Sequence, residues 1–158
     1  MPPCVSHIAR ELKPNLIAVL DGRSTSRQLN GLINLCVALA SELLSRKWGS
    51  RRLQEHLGLS ETDLAYDCIG DLFGRDETGR CTQLTAYFGS MEVASLYEAE
   101  LLVLLRRLVY SRVNHALFRL YQDLDPAFSR ILRNVKLAQE ALKQFDERDR
   151  EGVRYARP

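Results

Sequence analysis

Apolar residues recur along most of this chain at three- and four-residue steps, the period of an α-helix packed on one face. The plainest case is Ser26 to Arg46, where Leu29, Leu32, Ile33, Cys36, Val37, Leu39, Ala40, Leu43 and Leu44 form one stripe. Ahead of it, a short amphipathic start is expected near Pro3 to Lys13. Leu16 to Leu20 then follow Pro14-Asn15 and end at the turn signal Asp21-Gly22. Trp48-Gly49-Ser50 breaks the strong helix, and Arg51 to Leu57 reads as a short helix closed by Gly58. Ser60 is an N-cap with Asp63 three residues on, a capping-box arrangement with Asp in place of Glu or Gln. It opens a helix from Glu61 to about Phe73, with Leu64, Ala65, Cys68, Ile69 and Leu72 inward. Gly74 to Gly79 is a polar loop, and Thr82 to Phe88 is a short helix ended by Gly89-Ser90.

The longest pattern runs from about Ser95 to Asp123. Leu102, Leu105, Val109, Val113, Ala116 and Leu120 form its packing stripe, widened by Leu101, Leu104 and Leu108. Asp125-Pro126 starts a final helix, with Asp as N-cap and Pro in the first turn. That helix is expected to turn Phe128, Ile131, Leu132, Val135, Ala138, Leu142 and Phe145 inward as far as about Arg150. No strand pattern and no repeat occurs. The expectation is an all-α fold: an irregular multi-helix bundle with one long central helix and up to about seven helices of unequal length. Residues 1–150 would form a single helical domain, and residues 151–158 a tail or linker.

Composition narrows the classes of function. The chain has 158 residues, and its net charge of +2 says little about partners. Cys4, Cys36, Cys68 and Cys81 make no C-x-x-C or Cys/His cluster, so no zinc or other metal is expected. Arg10, Glu11 and Lys13 interrupt the N-terminal segment, which lacks the apolar core of a signal peptide. No stretch approaches 18 uncharged apolar residues, so no membrane span is expected and a cytoplasmic location fits. His7, His56 and His115 sit in no hydrolase or metalloprotease motif, and no Gly-rich phosphate loop occurs. Neither catalysis, nor a cofactor, nor a small-molecule substrate is expected.

Charge is unevenly distributed. From Glu61 to Glu77, six acids stand against Arg75 alone; from Arg106 to Lys136, seven bases stand against Asp123 and Asp125. Asp63, Asp67 and Asp71, four residues apart, fall on one helix side, about 150° from the apolar face. A solvated face, a divalent-cation site completed by another element, and a surface for a basic partner are all compatible with that row. On the long helix, Arg107, Tyr110, Asn114, Phe118 and Tyr121 make a second stripe, roughly 125° around from the first. Arginine interleaved with aromatics suits single-stranded nucleic acid, suits a protein interface, and equally suits a helix packed on two sides. The bland reading of the whole layout is internal salt bridging between the acidic and basic helices; the functional one is the steering of two partners.

Arg51 to Phe73 has the outline of a helix-turn-helix with Gly58 in the turn, but Gln54 and Asp67 occupy positions that need a small and an apolar residue. Its acidic outer face would also repel phosphates. Asp63 to Phe73, DLAYDCIGDLF, resembles the helix in region two of bacterial sigma factors, with Asp63, Leu64, Ala65, Asp67, Leu72 and Phe73 in agreement. Tyr66 replaces the usual Gln and Ile69 an aromatic, and the later helix lacks that family's W-L-x-x-I-A-x-N run. The resemblance covers at most Ser26 to about Tyr121. It implies that Asp63, Asp67 and Asp71 face a coiled coil of RNA polymerase. It further implies that Arg107, Arg112, Arg119, Tyr110, Phe118 and Tyr121 approach DNA. The alternative is a helical protein-interaction or oligomerisation module, bound to another protein or to itself, without nucleic-acid contact.

Overall fold

The computed structural model describes residues 11–47, 58, 60–124, 127, 130, 131 and 133–142. Five α-helices take chain order: α1 (Leu12–Leu20), α2 (Ser26–Lys47), α3 (Glu61–Gly70), α4 (Thr82–Phe88) and α5 (Glu98–Leu124). Short 3-10 turns cover Asp71–Phe73 and Val93–Ser95, and residues 133–142 are also helical. Among the described residues there is no strand beyond an isolated bridge between Arg75 and Cys81. The fold is all-α. The expected helix of residues 51–57, the Asp125-Pro126 cap, the 151–158 tail and the inward placing of Phe128, Leu132 and Phe145 lie outside the described residues. So does most of the amphipathic start near Pro3.

Helix boundaries follow local chemistry. The sequence set an amphipathic start near Pro3 to Lys13 and then Leu16 to Leu20 after Pro14-Asn15; α1 runs from Leu12 through both of those residues. Pro14 stands in the first turn, where its missing N–H has no intrahelical partner to lose. At the other end, Gly22 takes φ +71°. Its N–H meets the Val19 carbonyl at 3.2 Å while Arg23 N–H meets Ala18 at 3.0 Å, the paired bonds of a Schellman stop. α2 opens on a reciprocal cap that apolar spacing does not reveal. Gln28 N–H donates to Thr25 Oγ1, and Thr25 N–H donates to Gln28 Oε1 at 3.0 Å. α5 starts three residues later than expected, because Leu96 is extended and Tyr97 N–H donates to Glu100 Oε2 at 2.9 Å.

The chain divides into two compact units, Met1–Ala116 and Leu117–Pro158, with α5 contributing to both. In the first unit α2 packs against α1 and α3, and α4 packs on the 3-10 turn that follows α3. The buried side chains are Leu12, Leu16 and Val19 of α1, a Leu32-to-Leu44 stripe of α2, Leu64 to Ile69 of α3, Leu84 and Phe88 of α4, and Leu101 to Val113 of α5. Polar links tie α5 to its neighbours: Lys47 Nζ donates to Asn114 Oδ1 at 2.6 Å, Arg112 donates to Gln83 Oε1 of α4, and Arg106 pairs with Glu42 of α2 at 3.9 Å. α2 is long and apolar enough, by length and composition alone, to cross a membrane. Its buried leucines packed on α1 and α3 match the pattern of a core helix, which passes the same test.

In the second unit the expected burial does not hold. Ile131, Val135 and Leu142, all placed inward by their spacing, are 59%, 49% and 68% exposed. An amphipathic helix buries its stripe only where another element faces it.

Candidate functional site: an acidic face and an arginine-aromatic helix

α3 begins with the capping box expected at Ser60. Asp63 N–H donates to Ser60 Oγ at 3.1 Å, and Asp63 Oδ2 accepts from Ser60 N–H at 3.3 Å and from Ser60 Oγ at 2.6 Å. The side of α3 opposite its buried Leu64, Ala65, Cys68 and Ile69 therefore presents Asp63, Tyr66 and Asp67 to solvent. The α-helix stops at Gly70, and Asp71 opens the tighter 3-10 turn. Gly70 and Asp71 both keep right-handed helical backbone, so the third carboxylate stays one turn beyond Asp67, as the spacing implied. It also stands at the C-terminal end of α3, where the negative pole of the helix dipole disfavours an anion.

Among the described residues, none of the three aspartates takes part in an ion pair. The ion pairs among the described residues are Arg46 with Glu42 and Arg106 with Glu42 at 3.9 Å. Glu61, beside the row, accepts from Ser45 Oγ at 2.6 Å. Among the described residues no cluster of three His, Cys, Asp or Glu side chains is placed to hold a metal ion. Asp67 does act on its neighbour: burial, and secondarily this charge, push the Cys68 thiol up to about 11.

The loop after α3 is more ordered than a polar linker. Asp76 Oδ1 accepts from Thr78 Oγ1 at 2.6 Å, Thr78 N–H at 2.9 Å and Arg80 N–H at 3.0 Å. The Thr78 hydroxyl, then the Arg80 amide, hold this carboxyl below its ordinary range. Gly79 supplies the φ of +79° that the turn requires.

On α5 the predicted residues separate into groups. In the first unit Arg107 is exposed and Tyr110 is partly buried. Asn114 is held by Lys47, and Arg112 is partly buried and donates to Gln83. In the second unit Phe118 is 44% exposed, Tyr121 is 36% exposed, and Arg119 is exposed. Phe118 thus lies outside the packed interior that aromatic spacing on a helix usually signals. Elsewhere, Glu11, Pro14, Asn15, Arg27 and Gln28 line a cleft of about 280 Å³ between α1 and the start of α2. Its Gln28 carbonyl oxygen is already engaged by Thr25. Asn15, 9% exposed, is a polar residue of the interior that no motif or spacing in the sequence marks.

Comparison with family models, with curated proteins and with solved structures finds no match.

Proposed function

We propose that this chain is a non-catalytic, transcription-associated binding domain, similar in plan to region two of bacterial sigma factors. The acidic side of α3 would dock a basic protein surface such as a coiled coil of RNA polymerase. Arg107 in the first unit, and Arg119, Phe118 and Tyr121 in the second, would approach DNA. One observation carries the reading: Asp63, Asp67 and Asp71 are exposed and take part in no ion pair among the described residues. Like charges repeated at four-residue steps cost helix stability, a cost that a basic partner would offset. Arg112, which donates to Gln83, keeps its charge and its remaining donors for the same set.

Fluorescence anisotropy with a labelled single-stranded oligonucleotide, run as a salt series, tests the basic side. Changing Arg107 and Arg119 to Glu is expected to weaken binding and to flatten log K against log[salt] by about 0.7 for each phosphate no longer neutralised. Unchanged affinity and slope would remove nucleic acid from the proposal. Capture of purified RNA polymerase tests the acidic side. Asp67→Lys is expected to abolish capture while leaving oligonucleotide binding intact.

A second reading, a protein-interaction or oligomerisation module, is favoured by a different observation: the apolar stripe of Ile131, Val135 and Leu142 stands in solvent. Water-exposed apolar rows of this kind mark surfaces that associate.

A further inference from the structure

The cleft between α1 and the start of α2 holds a polar side chain that the fold does not use. Asn15 is 9% exposed, and its backbone N–H donates to the Glu11 carbonyl at 3.1 Å. Its side-chain amide carries two donors and an acceptor, yet makes no hydrogen bond among the described residues. Buried polar groups are ordinarily satisfied. α2 makes room for this one. Gly31 lies inside α2, and a Cβ there would come within 3.2 Å of Asn15 Nδ2. Glycine weakens a helix interior, so α2 gives up strength at the point where the amide meets it.

The walls carry one charge of each sign. Glu11, Pro14, Arg27 and Gln28 complete the lining of this cleft of about 280 Å³. Glu11 and Asn15 are one turn apart on α1, and Arg27 and Gly31 are one turn apart on α2. Asn15 meets Gly31 at one end of these rows, and Glu11 and Arg27 stand at the other. Both charged side chains are exposed, and neither takes part in an ion pair among the described residues. Glu11 stands at the N-cap of α1 without capping it through its side chain. Arg27 lies in the first turn of α2, which holds no acid. The first amides of a helix lack intrahelical acceptors and form its positive pole. A cation in that turn is unfavourable for the helix alone and favourable for an anion beside it.

We propose that this cleft binds a small zwitterion of the α-amino acid class. The carboxylate pairs with Arg27 beside the first turn of α2, the ammonium pairs with Glu11, and the Asn15 amide hydrogen-bonds the ligand at the closed end. Glu11 repels a simple anion and Arg27 repels a simple cation, whereas a zwitterion satisfies both. Because the two charges are exposed and screened by solvent, the Kd is expected to be of about millimolar order.

Nitrogen-15 NMR correlation spectra of the full labelled chain test this, with L-alanine, acetate and methylammonium as probes. L-alanine is expected to shift the Asn15 side-chain amide and the Arg27 and Gln28 backbone amides saturably. Acetate and methylammonium each lack one of the two charges and should bind at least about tenfold more weakly, the loss of one hydrogen bond to a charged group. Arg27→Gln and Glu11→Gln should each weaken L-alanine by a similar factor. Both positions are exposed, and circular dichroism checks that the variants fold. Acetate bound as tightly as L-alanine would make the cleft a simple anion site and overturn the zwitterion. L-alanine binding unaltered in either variant, or no saturable shift at several times the expected Kd, would overturn the cleft as an amino-acid site.

Discussion

Removing the Ser60 hydroxyl separates what Asp63 does for its own helix from what it does for a partner. Ser60→Ala deletes the acceptor for Asp63 N–H, 3.1 Å away, and the hydroxyl's own bond to Asp63 Oδ2 at 2.6 Å. The backbone bond from Ser60 N–H to the carboxylate, at 3.3 Å, can remain. The site is exposed, so water replaces the lost partners and the cost is that of a typical cap, about 1 kcal/mol. For a chain of this size that lowers Tm by roughly 2–6 °C. Asp63→Asn should cost a similar amount, and the double variant less than the two together, with a coupling of at least about 0.5 kcal/mol. Urea melts followed by circular dichroism give all three numbers. Capture of the basic partner gives the contrast: Ser60→Ala keeps the Asp63 charge and should bind as well as the parent, whereas Asp63→Asn should bind less well. Strict additivity of the two stability losses would refute the capping box. Equal binding by Asp63→Asn and the parent would assign Asp63 to the cap alone.

Two further outcomes follow from charges at helix ends and in the core. Asp71 caps the C-terminal end of α3, so Asp71→Asn should raise stability by about 0.3–1 kcal/mol, more at low salt, and a lower Tm would contradict the dipole argument. Burial pushes the Cys36 thiol up to about 12 and, with the nearby Asp67 charge, Cys68 up to about 11, from an ordinary value of 9.0. A folded thiol that holds its proton more tightly than the unfolded one stabilises the fold fully below the unfolded value and loses that stabilisation as pH rises past it. Denaturant melts should therefore show stability falling above pH about 9 by up to about 1.4 kcal/mol per pH unit for each thiol. Cys36→Ala should flatten that dependence, and an unaltered pH profile in this variant would exclude Cys36 as its source.

The helices themselves were legible in the residue pattern. Ser26 to Arg46 was expected and Ser26–Lys47 is found; Thr82 to Phe88 agrees at both ends; the inward set Leu64, Ala65, Cys68, Ile69 and Leu72 is buried throughout. Local chemistry suffices for these, because a cap, a helical period and a stop residue act within a few positions of one another. The difference at Pro14 is also local: proline breaks a helix interior but is at home in the first turn, and periodicity alone did not place the start at Leu12. What tertiary structure decided was which face of a helix is covered. On α5 the expected face held Leu102, Leu104, Ala116 and Leu120, all only partly buried, and Leu101, Leu105, Leu108, Val109 and Val113, all buried, while Leu117, which was not expected, is buried too. Adjacent leucines share hydrophobicity, and the choice between them depends on the direction from which neighbours approach. The same limit explains Ile131, Val135 and Leu142. Their spacing specified one apolar face, but whether a face is buried depends on a second surface that the helix's own residues do not encode. The charge layout behaved alike: the chain showed that acids and bases are segregated, and only the folded arrangement showed Asp63, Asp67 and Asp71 exposed and outside any ion pair among the described residues, because pairing depends on distances between elements far apart in sequence.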